Sequence, residues 1–260
     1  MNSDIEFCQK YHTVQKTKCL KNFHQLVIHI TSVAIGAGIA SVVIVGVFLA
    51  FGLFNNEPEL MMKPTPVIQE TGPAKITSAT FMENGSPILG DPNAPITMVE
   101  FGDYQCYFCN QFFHTTEDEL FKNYVETGKV KVIFKDFTII GADSIAAAHA
   151  AHCADDQGLF WEYHDTLYNN WTGENNGWAS SENLLKFAGK VGLDIDKFSK
   201  CMMDSKHTPT IVNSNKDAKD LGLTGTPAFF IISPDNKVTK IDGAQPYDVF
   251  ERIFNSAIEK

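Results

Sequence analysis

The stretch Ile96-Thr-Met-Val-Glu-Phe-Gly-Asp-Tyr-Gln-Cys-Tyr-Phe-Cys109 decides the fold. Its first part, Ile96 to Phe101, reads as a short buried strand bounded by Pro95 and Gly102. Beyond the second cysteine, Asn110 to Thr127 reads as a helix closed by Gly128, with Phe113, Leu120, Phe121 and Tyr124 on or near one face. The C-x-x-C therefore stands at a strand-to-helix turn, with Cys106 at the helix start. Alone, the motif serves equally as a redox dithiol or as half of a zinc site. At a helix start, unsatisfied backbone N–H groups and the positive end of the helix dipole favour a thiolate on Cys106, which makes it reactive and a good leaving group. Cys109, one turn in, is sheltered. Zinc would need a second ligand pair, and no second C-x-x-C or ordered His pair supplies one. His149 and His152, beside Cys153 on an Ala-rich helix, read as packing or surface residues. No metal or other cofactor is expected.

Toward the N-terminus, residues 26–54 contain no Asp, Glu, Lys or Arg and are rich in Val, Ile, Ala and Gly. That exceeds the roughly 20 apolar residues needed to span a bilayer. It also exceeds the roughly 7–15-residue apolar region of a cleaved signal peptide, and no small-x-small site ends it. An uncleaved transmembrane signal anchor is expected. Lys10, Lys16, Lys18 and Lys21 precede the span, and Glu57 and Glu59 follow it. The positive-inside bias then puts residues 1–25 in the cytoplasm as a tail and the rest outside the cell membrane. Residues 55–80, with Pro58, Pro64, Pro66 and Pro73 among polar residues, are expected to be an extended spacer.

Of the 260 residues, 44% are hydrophobic and 12% aromatic, enough for one packed domain beyond the spacer. The net charge is −10, although four lysines sit before the span, so the exported part is strongly acidic. An acidic surface argues against nucleic acid or anionic lipid as a partner. Cys8 and Cys19 fall on the cytoplasmic side, where thiols stay reduced. The other four, Cys106, Cys109, Cys153 and Cys201, lie in the exported part, and an oxidising compartment suggests two pairs.

The residues Val99-Glu-Phe-Gly-Asp-Tyr-Gln-Cys-Tyr-Phe-Cys109, and far downstream Gly225-Thr-Pro-Ala-Phe-Phe-Ile231, resemble the two signatures of DsbA-type proteins of the thioredoxin superfamily. Between them, Cys153-Ala-Asp-Asp-Gln-Gly-Leu-Phe-Trp-Glu-Tyr-His164 resembles the helical insertion of that group. The resemblance spans roughly residues 81–258. It implies an α/β thioredoxin-like fold over residues 81–260, with a helical insertion at about 142–222, preceded by the one transmembrane helix. Secondary-structure signals agree. A strand at Val130 to Phe137, strands near Ala228 to Ile232 and Lys237 to Asp242, and a last helix after Pro246 are expected.

The resemblance further implies a thiol-disulfide oxidoreductase, with Cys106 and Cys109 as redox pair and Thr226-Pro227 as a cis-proline segment beside them. There an extended substrate could pair with the backbone. Glu100, six residues before Cys106, matches the acid beneath the active site of such proteins and is expected to accept or relay the proton of Cys109. Lys135 is a candidate charge partner for it, and Asp103 a turn-shaping residue. Related proteins often carry a disulfide between two insertion helices, which would join Cys153 to Cys201. Closing that loop would contribute about 3–4 kcal/mol in the chain-entropy model.

The dipeptide Tyr107-Phe108 departs from the family pattern in having neither Pro nor His. It offers apolar contact to a substrate without a charge beside the thiolate. Electron flow in either direction fits: a disulfide-forming oxidase acting on exported protein thiols comes first, a reductase or isomerase second. The resemblance implies a quinone-linked membrane partner of DsbB type or like vitamin-K-epoxide reductase. A non-catalytic thioredoxin-like binding module or metallochaperone is the alternative of a different class.

Overall fold

The computed structural model describes residues 76–259. The tail at 1–25, the anchor at 26–54, most of the spacer, and Cys8 and Cys19 lie outside the described residues. Among the described residues, no helix is long and apolar enough to cross a membrane.

Four strands form one mixed sheet: β1 (Ile96–Gly102), β2 (Val130–Asp136), β3 (Ala228–Ile232) and β4 (Val238–Asp242), in the order β2-β1-β3-β4. β1 runs parallel to β2 and antiparallel to β3, which is antiparallel to β4. Every residue of β1 is buried, Thr97 and Glu100 included, as in a central strand covered on both faces. Because successive side chains point to opposite faces, the strands sort into two sets. Ile96, Met98, Val132, Phe134, Phe229 and Ile231 belong to the larger core, while Val99, Phe101, Ala228 and Phe230 belong to a second one.

The second face is covered early and late in the chain. A short helix, α1 (Ser78–Met82), places Phe81 5.1 Å from the ring of Phe230. This helix begins in the last residues of the stretch 55–80 expected to be an extended spacer and runs into the domain: the prolines end at Pro73, and Phe81 gains a core by folding onto the sheet. The larger core is built by α2 (residues 107–125, with π-helical turns at Phe113–Glu117 and Phe121–Val125) and α8 (Tyr247–Ile258). Gly128, in the left-handed region at φ 72°, follows α2 and turns the chain into β2.

Between β2 and β3 lie five helices, α3 (Ala142–Asp155), α4 (Phe160–Asn169), α5 (Ser181–Val191), α6 (Ile195–Met203) and α7 (Thr208–Asp220). Asp194 caps α6 by accepting from the Lys197 N–H at 3.1 Å. Trp161, Tyr163 and Trp178 are buried in the core.

The sheet register overturns the pairing of Glu100 with Lys135. Glu100 stands opposite Phe134, and Lys135 stands opposite Phe101. One step in register puts the two charged groups on opposite faces of the sheet. Lys135, fully buried, instead pairs with Asp217 of α7 at 2.9 Å, donates to the Glu83 carbonyl and lies 5.6 Å from the Phe101 ring centre.

Candidate active site

Cys106 is the N-cap of α2, with extended backbone (φ −66°, ψ 126°), so its sulfur faces the first turn of the helix. Its thiol is held down to about pKa 6. The largest cause is a hydrogen bond from the Cys109 thiol; burial opposes it, and Thr226 and the backbone N–H groups of Cys109 and Phe108 assist. The Cys109 thiol is pushed well up by its burial, then by Cys106 and by Glu100. A dithiol split in this way holds its one negative charge at the helix start and its proton one turn inside. Both cysteines are free thiols in this structure.

Thr226-Pro227 is a cis peptide bond, and it brings the Thr226 backbone to the nucleophile: the Cys106 thiol donates to the Thr226 carbonyl oxygen over 3.3 Å. The Thr226 hydroxyl is buried without a hydrogen-bond partner in the thiol form, which leaves it a donor for the thiolate. Glu100 is buried on the α2 side of β1 and pushed up to about pKa 8, chiefly by burial and then by the charge of Cys106. It is therefore a largely neutral acid at pH 7. Gly102, at the end of β1, permits this packing: a Cβ there would sit 2.4 Å from the Phe134 ring and 3.4 Å from Glu100 Oε1.

Tyr107 and Phe108 are the outward part of the site, 53% and 56% exposed, with ring centres 5.3 Å apart. Trp171, half-buried, lies 6.0 Å from Tyr107. A protein surface that keeps two large aromatic side chains beside a reactive sulfur offers apolar contact to an incoming chain.

Asp103, read from the sequence as a turn-shaping residue, and several residues that reading gave no role lock this turn to its surroundings. Asp103 accepts from the N–H groups of Gln105, Ile139 and Ile140 at 2.9, 2.8 and 3.0 Å, tying the C-x-x-C turn to the loop after β2 as well as shaping it. Gln105, fully buried, accepts from the Asn175 N–H at 2.7 Å on its side chain and from Trp171 Nε1 at 2.8 Å on its carbonyl. Asn110 of α2 donates to the Tyr168 carbonyl of α4 at 2.9 Å. The Glu174 carboxylate accepts from the Tyr107 N–H at 3.0 Å. Apart from the Asp103–Gln105 bond within the turn, each contact joins residues far apart in sequence, so no periodicity announces it. Of these residues, the sequence pointed to Asp103 alone as one that shapes the turn.

Away from the sulfur pair, Cys153 of α3 and Cys201 of α6 form a disulfide with Cα atoms 5.8 Å apart. The nearby histidines serve packing. His152, raised despite its burial by the carboxylate of Asp136, lies 2.7 Å from it, and His149 accepts from the His207 N–H at 3.1 Å.

A thioredoxin family model matches residues 82–255. A probable disulfide bond formation protein D of Bacillus anthracis is 30% identical over 147 residues, covering 55% of this chain and 68% of that protein. The crystal structure of alpha-DsbA1 from Wolbachia pipientis is 28% identical with a TM-score of 0.62, covering 70% of this chain and 96% of that one. The structure of oxidised BdbD from Bacillus subtilis, at 22% identity and a TM-score of 0.62, covers 67% and 94% and shares the fold.

Proposed function

Since the chain belongs to the DsbA-type thiol-disulfide oxidoreductases of the thioredoxin superfamily, we propose that it is a disulfide-forming oxidase of exported proteins, working through Cys106 and Cys109. The observation that carries this direction is the placement of Cys106 as the N-cap of α2 with Cys109 buried one turn in, where the Cys109 thiol, Thr226 and the helix N–H groups hold the Cys106 thiol down. A stabilised thiolate lowers the free energy of the reduced enzyme, and a stable reduced form makes the disulfide a strong oxidant.

The cycle begins with the enzyme disulfide. A substrate thiolate attacks Cys106 Sγ, a substrate–Cys106 disulfide forms, and the Cys106–Cys109 bond breaks with its electron pair left on Cys109. Glu100, neutral near pH 7, supplies the proton that Cys109 takes up. A second substrate thiolate then attacks the substrate sulfur of the mixed disulfide, and Cys106 leaves as the thiolate held by the helix start and the Thr226 hydroxyl. The substrate has lost two electrons and the enzyme holds them as a dithiol. During the mixed disulfide, the Thr226 backbone beside the cis proline pairs with the extended substrate, and Tyr107 and Phe108 cover its apolar flank.

Return to the disulfide requires an acceptor for two electrons. An anchor at residues 26–54 would hold the domain on the outer face of the cell membrane, within reach of a quinone-linked membrane oxidoreductase of DsbB type or like vitamin-K-epoxide reductase. The relatives' role in disulfide bond formation supports the extracytoplasmic placement.

The test is the reduction potential of the Cys106–Cys109 pair, measured by equilibration with defined glutathione ratios. A value near the roughly −120 mV of a strong oxidant supports the oxidase, and one near roughly −270 mV makes the protein a reductase. No exchange at any ratio removes the catalytic reading and leaves a binding module.

A further inference from the structure

Tyr107 is the first residue of α2, so its N–H is one of the orphan donors at the helix start that the charge on Cys106 exploits. That donor is already taken. Glu174, 67 residues away on the exposed loop between α4 and α5, accepts from it at 3.0 Å. The carboxylate is not there by the chance swing of a long side chain. Its loop is fixed on both sides of Glu174 by the buried Gln105, through Trp171 Nε1 to the Gln105 carbonyl at 2.8 Å and the Asn175 N–H to Gln105 Oε1 at 2.7 Å. Gly173 and Asn175, which flank Glu174, both have positive φ, 134° and 53°. The loop after β2 approaches closely, with a Cβ at Gly141 falling 2.3 Å from Asn175 Oδ1.

We propose that Glu174 is a positioning residue that sets how oxidising the Cys106–Cys109 pair is, by keeping a second negative charge on the helix start that the Cys106 thiolate uses. The inference rests on the reading of that pair as the redox centre. In the oxidised enzyme Cys106 carries no charge, and Glu174 is then the anion that answers the positive end of the helix dipole. In the reduced enzyme the two anions compete for the same end, which costs the reduced form more than the oxidised one. Glu174 therefore restrains the oxidising power conferred by Cys109, Thr226 and the helix N–H groups. Its exposure makes the effect moderate and sensitive to salt.

The experiment uses the full chain and compares it with Glu174→Gln, which keeps an acceptor for the Tyr107 N–H and removes the charge, and with Glu174→Ala, which removes both. The alkylation rate of Cys106 against pH, read on its own peptide by mass spectrometry, gives its pKa. Differential alkylation in glutathione buffers gives the redox equilibrium. Glu174→Gln is expected to lower the Cys106 pKa by about 0.2–0.7 units, the span of an exposed charge at a helix end, and to shift the equilibrium about 1.5- to fivefold toward the dithiol. Both effects should shrink at 1 M salt. A Gln variant with the pKa and equilibrium of the parent, whether or not Glu174→Ala unfolds more readily, makes Glu174 a loop tether and overturns the inference. If the parent itself shows no exchange with glutathione, the redox reading fails instead, and the two failures are thus distinct.

Discussion

The Cys106 sulfur lies 3.3 Å from the carbonyl oxygen of Thr226, 120 residues away in sequence. The contact makes the cis-proline segment a second wall of the redox site. It assigns Thr226 two parts: the carbonyl accepts from the thiol, and the buried, unpartnered hydroxyl is placed to donate to the thiolate. Only the second is lost in Thr226→Val, which keeps the side chain's shape. A hydrogen bond to a charged group contributes about 1.5–3 kcal/mol, or roughly one to two pH units. Thr226→Val is expected to raise the Cys106 pKa from about 6 by about one unit, measured as the midpoint of its alkylation profile. An unchanged midpoint would mean that the hydroxyl never turns to the sulfur.

The pKa values of Glu100 and Cys106 are shifted in opposite directions, and the signs separate them in a stability profile. Cys106 has a depressed folded pKa, so its contribution to the reduced protein is present above its ordinary value of 9.0 and is lost as pH falls through about 6. Glu100 has a raised one, so its contribution is present below its ordinary 4.5 and is lost as pH rises through about 8. Glu100→Gln, which cannot ionise, should therefore match the parent at pH 4 and gain on it steadily to pH 8. There the gain reaches on the order of 3–4 kcal/mol in urea unfolding. The same variant should slow disulfide exchange at the step where Cys109 takes a proton. A constant difference across pH would show that Glu100 is not buried as an acid.

The strand, the C-x-x-C turn and the helix after it were legible because each rests on local sequence: an apolar run between Pro95 and Gly102, and a helical period ended by Gly128. The helix starts at Tyr107 with Cys106 as its N-cap, as the strand-to-helix turn implied, while the helical period from Asn110 onward reports its later turns. The pairing of Lys135 with Glu100 failed for a reason that sequence does not carry. Both residues sit in adjacent apolar strands, and only the one-step register decides whether they share a face. The ties from Gln105 to Asn175 and from Tyr107 to Glu174 bridge separations of 70 and 67 residues between a turn and a loop, where no periodicity reports on neighbours.

The true partner of Lys135 gives an independent check on that face. Lys135 is fully buried and Asp217 about one-sixth exposed, so the two halves of the pair are not equivalent. Asp217→Asn strands an ammonium in the core, which is expected to cost on the order of 3 kcal/mol. Lys135→Met removes the buried charge and leaves a carboxylate that water reaches, so its cost should be smaller. Neither variant should move the Cys106 pKa, because the sheet stands between them. Urea midpoints that reverse this order would mean that the lysine, not the aspartate, reaches solvent.

The Cys153–Cys201 disulfide is expected to act on stability and leave the chemistry alone. It closes a sequence separation of 48 residues between α3 and α6, for which the chain-entropy model gives about 4 kcal/mol. Both sulfurs lie within the insertion, whereas the turn bearing Cys106 is held by Asp103, Gln105 and Asn110 through hydrogen bonds that do not involve them. The double variant Cys153→Ala/Cys201→Ala should thus lose about that much in denaturant unfolding while keeping the parent's reduction potential at the Cys106–Cys109 pair. A potential that moves with the loss of this bond would show that the insertion, tied to the turn by Gln105 and Asn110, transmits its own packing to the redox site.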